Sequence, residues 1–217
     1  MSTAPRTSPV VFGEYLDAAN VVTLANGAVG GLALWLALAG RAGACLGLLF
    51  LAVVLDHVDG YVARRFLEPG TARRAFGARA DSLADLLNFG AVPTAVISLT
   101  ASSAQPVAAL VGATFVVLGI VRLAHFDITA EPDPHLSTGL PTTYAGFLVG
   151  CLSALTVTGL VATGPYLVLC AVVAVAQIAR LRLRMPGTGR CLGLVTGAAV
   201  VTTLVAVVLG DAGALVR

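Results

Sequence analysis

Lysine is missing from this chain: all thirteen basic residues are arginine, a pattern that fits a coding bias and carries no functional weight. Charge is scarce as well. Charged residues make up 11% of the sequence against 58% hydrophobic, which excludes an ordinary soluble domain. There is no CxxC or Cys/His spacing. The four cysteines, Cys45, Cys151, Cys170 and Cys191, lie scattered in apolar runs and read as small buried side chains, neither metal ligands nor a disulfide framework. The first nineteen residues lack the pattern of a signal peptide, so targeting is expected to rest on the first membrane helix. Internal repeats and low-complexity blocks are also absent.

What the chain has in abundance is long apolar runs. A membrane span needs about 20 such residues. That measure predicts an all-α integral membrane protein, a bundle of six to seven transmembrane helices near 20–39, 43–64, 78–102, 105–125, 140–160, 163–180 and 191–209. Gly193 and Gly197 weaken the seventh. The organisation is a cytoplasmic segment over 1–19, one membrane domain over 20–209 and a tail over 210–217. With the N-terminus in the cytoplasm, every arginine except Arg41 and Arg217 falls on the cytoplasmic side, as the positive-inside rule requires. A Gly40-Arg41-Ala42 turn joins the first two helices, and Pro165 opens the sixth, where a missing amide donor does no harm.

Four aspartates interrupt this apolar background at the cytoplasmic end of the second and third helices. Carboxylates near a bilayer core are costly and functional by default. Asp56 and Asp59 are three apart and Asp81 and Asp85 four apart, so each pair shares a helix face. The two helices are antiparallel, which lets the pairs meet at one depth. Four oxygen donors suit Mg²⁺ or Mn²⁺, and two such ions could clamp a phosphoryl displacement. Gly60 and Gly77 permit close approach of a ligand or a neighbouring helix, and Arg64 could pair with a phosphate in bidentate fashion.

Each residue has a plainer alternative. Arg65, Arg73, Arg74 and Arg79 are accounted for by topology alone. His57 points about 100° away from Asp56 on a helix and reads as a packing residue. Thr23 and Asn26 are read as interhelical hydrogen-bonding groups. A divalent-cation transporter would need further acids along the path, and none follows in the fifth to seventh helices before Asp211.

Taken together, Asp56, Asp59, Gly60, Ala63, Arg64, Gly77, Asp81 and Asp85 fill every fixed position of DxxDGxxAR…GxxxDxxxD, and the chain resembles the CDP-alcohol phosphotransferase family. Asp81-Ser82-Leu83-Ala84-Asp85 with Phe89-Gly90, then Arg122-Leu123-Ala124, Gly139-Leu140-Pro141 and Thr23-Leu24-Ala25-Asn26, are similar to its phosphatidylserine synthase branch. Two departures stand out: His125 replaces an arginine of that branch and Asp127 an asparagine. The loop between Arg64 and Gly77 is also longer.

The resemblance implies phosphatidyl transfer from CDP-diacylglycerol to the hydroxyl of L-serine with release of CMP, at a site facing the cytoplasm. It implies Asp56, Asp59, Asp81 and Asp85 as ligands of two Mg²⁺ or Mn²⁺ ions, with Asp85 also the general base. Gly60, Ala63, Arg64 and Gly77 would line the CDP site. Arg122 is the candidate for binding the acceptor; glycerol 3-phosphate, an inositol phosphate or another small alcohol are the alternatives to serine. The expected partners are the bilayer and a second copy of the chain, with no nucleic acid.

Overall fold

The protein, seen in a computed structural model, is described over residues 15–66, 70–129 and 136–184, together with residue 197. The expected seventh helix over 191–209, apart from residue 197, the tail over 210–217 and residues 1–14 of the N-terminal segment lie outside the described residues.

Among the described residues, six helical rods form a bundle. They are α1 (Ala18–Leu38), α2 (Ala42–Phe66), a rod made of α3 (Ala72–Leu86) and α4 (Val92–Thr100), α5 (Gln105–Ile128), α6 (Thr142–Val157) and α7 (Thr163–Ala176). The first four rods are long and apolar enough to cross a membrane, while α6 and α7 are shorter, at 16 and 14 residues. The last two fall short of the 140–160 and 163–180 expected from hydropathy because the backbone turns first. Gly159 takes φ +78° after α6, and the chain after Ala176 leaves the helix to form a ribbon. In that ribbon β1 (Leu136–Thr138) pairs antiparallel with β2 (Arg182–Arg184). Elsewhere the expected punctuation is present: Gly40 turns at φ +73° between α1 and α2, and Pro165 sits in the first turn of α7.

α3 begins six residues earlier than the apolar run suggests. Thr71 caps it, its hydroxyl accepting from Arg74 N at 3.3 Å, so the helix starts among arginines that hydropathy excludes. Between α3 and α4, Leu87–Ala91 forms a π-turn in which Val92 N–H reaches back to Leu87 O. Pro93, in the first turn of α4, cannot donate to an α-helical ladder, and the wider turn accommodates it without breaking the rod.

The bundle turns its small and polar residues inward. On α1, Asn20, Thr23, Asn26, Gly30, Ala33 and Ala37 are buried, while Leu32, Trp35 and Leu38 face outward. Small inward residues are what let membrane helices approach closely. At Gly30 an added Cβ would overlap Asn88 Oδ1, and Asn88 in turn donates to Asn26 O at 3.2 Å. Two apolar clusters hold the rest. One gathers Leu46, Leu49, Phe50, Val53, Phe89 and Val92; the other gathers Ile97, Phe115, Val149, Tyr166 and Cys170. Tyr166 is fully buried, but its hydroxyl shares a 2.8 Å hydrogen bond with Ser153, which offsets the desolvation.

Candidate metal and phosphoryl-transfer site

α1 and α2 pack together, and α1 also packs along α3, bringing the acidic turn of α2 against the acidic face of α3. Asp56 on α2 and Asp81 and Asp85 on α3 each present a carboxylate oxygen, and the three oxygens lie within 4.8 Å of one another. At that range like charges repel strongly in a partly desolvated setting. A divalent cation would convert the repulsion into coordination, and carboxylate oxygens are the donors that Mg²⁺ and Mn²⁺ take. Oδ1 of Asp85 is buried with no protein donor, so the protein itself leaves that ligand position open.

Asp59 stands outside that group of three. It is 3% exposed, within hydrogen-bonding reach of Thr23 on α1, and its Oδ2 has no donor. The carboxylate neighbours of Asp59 are Asp81 and Asp56, so it borders the cluster at one remove. Thr143 on α6 donates to Asp56 Oδ2 at 3.1 Å. Nothing in the sequence pattern marks that threonine.

His57, expected to point away from Asp56, has its Nδ1 3.7 Å from Asp56 Oδ2 as well as packing contacts. Its Nδ1 bonds Val53 O at 2.8 Å, the usual backbone acceptor one turn back, which leaves Nε2 to accept from the Tyr144 hydroxyl at 3.4 Å. The ring also meets Tyr144 edge-on at 5.8 Å between centroids.

The proposed CDP-lining residues divide. Gly60 lies on α2 one position after Asp59, half-buried. Ala63 and Arg64 continue that helix, but their side chains lie outside the described residues. Gly77 is a point of helix contact: a Cβ there would overlap Asn20 Oδ1 on α1, whose amide also donates to Arg73 O at 3.2 Å.

Arg122 is 9% exposed on α5, with Nη2 donating to Ser137 Oγ at 3.0 Å and the guanidinium 5.8 Å from the centre of the Phe126 ring. It borders a cavity of about 590 Å³ with His125, Gln177, Arg180 and Arg182 among its lining residues. Among the described residues no carboxylate lines that cavity. Sequence reasoning missed Arg180 and Arg182 as partners of Arg122, because arginines after a span read as topology signals. The two departures also separate: His125 lines the cavity, whereas Asp127 reaches Ser82 on α3.

A helical bundle with membrane-length rods and a half-buried cluster of three carboxylates between two helices, able to hold a metal ion, defines the class of protein. Comparison with known families narrows the class: the model of the CDP-alcohol phosphatidyltransferase family matches residues 16–209, and the chain belongs to that family. It is a family of membrane transferases of phospholipid biosynthesis. The chain is 31% identical over 139 residues to the archaetidylserine synthase of Methanothermobacter thermautotrophicus, covering 63% of this chain and 57% of that protein. It is 36% identical over 104 residues to the CDP-diacylglycerol–serine O-phosphatidyltransferase of Helicobacter pylori, covering 47% of this chain and 42% of that protein. For the enzyme of the same description in Mycobacterium tuberculosis, identity is 37% over 84 residues, 39% of this chain and 28% of that protein. The matched segments thus span about half or less of those relatives' own lengths.

Proposed function

We propose that the chain transfers a phosphatidyl group from CDP-diacylglycerol to the hydroxyl of L-serine, releasing CMP, at the Asp56–Asp81–Asp85 cluster. The observation that carries this reading is the convergence of those three carboxylates from two helices within 4.8 Å, inside a complete family motif. The similarity to serine and archaetidylserine synthases supports serine as acceptor.

In this reading Asp56, Asp81 and Asp85 hold Mg²⁺ or Mn²⁺, with Asp59 completing the set for a second ion. Bound metal supplies charge neutralisation of the pyrophosphate and stabilisation of CMP as leaving group. Asp85 takes the proton from the attacking hydroxyl as the new phosphodiester bond forms and the bond to CMP breaks. Gly60, Ala63, Arg64 and Gly77 belong to the CDP side of the site, and Arg122 holds the acceptor's anionic group. The site faces the cytoplasm in the cell membrane, and the protein works as a homodimer. Orientation is checked by thiol labelling from each side: Arg41→Cys reacts from outside and Arg73→Cys from the cytoplasm.

A second acceptor class has an observation of its own. Arg122, Arg180 and Arg182 around one cavity, with no carboxylate among its described lining residues, favour a phosphorylated alcohol over a zwitterion on charge grounds. CMP release by detergent-purified protein decides between them, given CDP-diacylglycerol and Mn²⁺ with serine, glycerol 3-phosphate or inositol phosphate in separate reactions. Release dependent on serine alone upholds the first reading. Release dependent on a phosphorylated acceptor replaces it with the second, and no release with any of them removes both.

A further inference from the structure

Asp127 occupies a position where the resembled branch carries asparagine, and it faces α3, away from the cationic cavity. Ser82 Oγ donates to Asp127 Oδ1 at 3.0 Å, with Ala78 O as its alternative acceptor at 3.2 Å. A hydroxyl has one proton, and the ionised acceptor makes the stronger bond. Arg79 Nη1 lies 3.9 Å from Asp127 Oδ2, but the arginine side chain is 80% exposed, so this ion pair contributes little rigidity. The bond from Ser82 is therefore the firmer of these two links between the last turn of α5 and α3.

Ser82 directly follows Asp81, one of the three carboxylates of the cluster. Asp127 also stands close enough to Asp81 for their charges to interact, and the repulsion disfavours Asp81 orientations directed at α5. The tether fixes the α3 turn that carries Asp81.

We propose that Asp127 is a positioning residue for Asp81, acting mainly through Ser82, and that it sets the affinity of the carboxylate cluster for its divalent cation. The inference rests on the metal-site reading above. An asparagine would keep the acceptor for Ser82, so the tether and the charge can be separated by substitution.

The test is Mn²⁺ binding by detergent-purified protein without substrate, followed by loss of the free-ion electron paramagnetic resonance signal. Ser82→Ala and Asp127→Ala are each expected to weaken Mn²⁺ binding about tenfold, the lower end of what loss of an outer-shell partner costs. The Ser82→Ala/Asp127→Ala double variant should be no weaker than either single change, because both cut one path. Asp127→Asn should bind close to the unaltered chain. Unfolding midpoints measured in EDTA should agree among the variants, which a purely structural role would not give.

Unchanged Mn²⁺ binding in Ser82→Ala would overturn the proposal, and so would additive losses in the double variant. An Asp127→Asn loss as large as that of Asp127→Ala would assign the effect to charge and overturn the tether. If the unaltered chain binds no Mn²⁺, the metal-site reading fails and this inference goes with it. Should Asp127→Ala not fold, Ser82→Ala and Asp127→Asn still decide the matter.

Discussion

Thr143, in the first turn of α6, donates a 3.1 Å hydrogen bond to Asp56 Oδ2 on α2, so three helices hold the carboxylate cluster where the motif names two. The bond uses one lone pair of Oδ2 and limits rotation of the carboxylate. Thr143→Val keeps the shape and removes the donor. It should weaken Mn²⁺ binding by about tenfold or more, while Thr143→Ser retains most of it. Titration of both variants with Mn²⁺ checks this.

Asp85→Asn is nearly isosteric and removes the proposed base together with one ligand charge. CMP release should fall by about 10²–10⁴-fold, the usual contribution of a positioned acid or base. The variant should elute from size-exclusion chromatography as the unaltered chain does. Turnover above that range would take the role of base away from Asp85.

The cluster stores electrostatic repulsion that a cation offsets, so metal should raise stability. At a free Mn²⁺ concentration a hundredfold above the dissociation constant, the gain is about 2.7 kcal/mol. The unfolding midpoint in detergent should therefore rise on moving from EDTA to Mn²⁺. Asp56→Asn should lose most of that rise. An equal rise in this variant would place the metal elsewhere.

Gly30 leaves room for Asn88, so Gly30→Ala forces the two helices apart or displaces the amide. The expected cost is about 1–3 kcal/mol, typical of overpacking a filled interior. In the Gly30→Ala/Asn88→Ala pair part of the loss should return, since neighbouring changes that relieve one clash are non-additive. Thermal unfolding of the two single variants and the pair measures the coupling.

Arg122→Leu removes a charged donor from the cavity. The half-saturating acceptor concentration should rise roughly 10- to 100-fold, the equivalent of one hydrogen bond to a charged group, with donor dependence unchanged. Ser137→Ala, which removes only the residue that Arg122 bonds, separates acceptor binding from local packing. A matching rise in Ser137→Ala would assign the effect to packing.

The carboxylate cluster was legible because a charge in membrane-grade sequence needs a reason, and two helix-face spacings supplied one. Helix existence was legible for the same apolar runs. Boundaries were less so: hydropathy stops at Arg73, Arg74 and Arg79, whereas the backbone, capped by Thr71, does not. Thr143 was hidden because it lies 87 residues from Asp56 among other threonines with no spacing to mark it. Arg180 and Arg182 were visible but absorbed by the positive-inside rule, which explains cytoplasmic arginines before any site is considered. Short strands such as Leu136–Thr138 leave no periodicity to read. Asp127 was noticed as a departure, yet which way it faces follows only from how α5 lies on α3.

The π-turn at Leu87–Ala91 divides one rod into two alignments that are inherited separately. Above it, α3 keeps Asp81 and Asp85 in step with α2; below it, α4 keeps Val92, Val96 and Ile97 in step with the apolar clusters. Each α-helical residue advances a helix by about 100°, so a deletion within Ala72–Leu86 or Val92–Thr100 would turn one half against the other. The wide turn at Leu87–Ala91, by contrast, already absorbs one residue beyond the α-helical count. Substitutions in this rod can accumulate one at a time, but a change in its length is taken up only at the wide turn, which makes Leu87–Ala91 the rod's one tolerant joint.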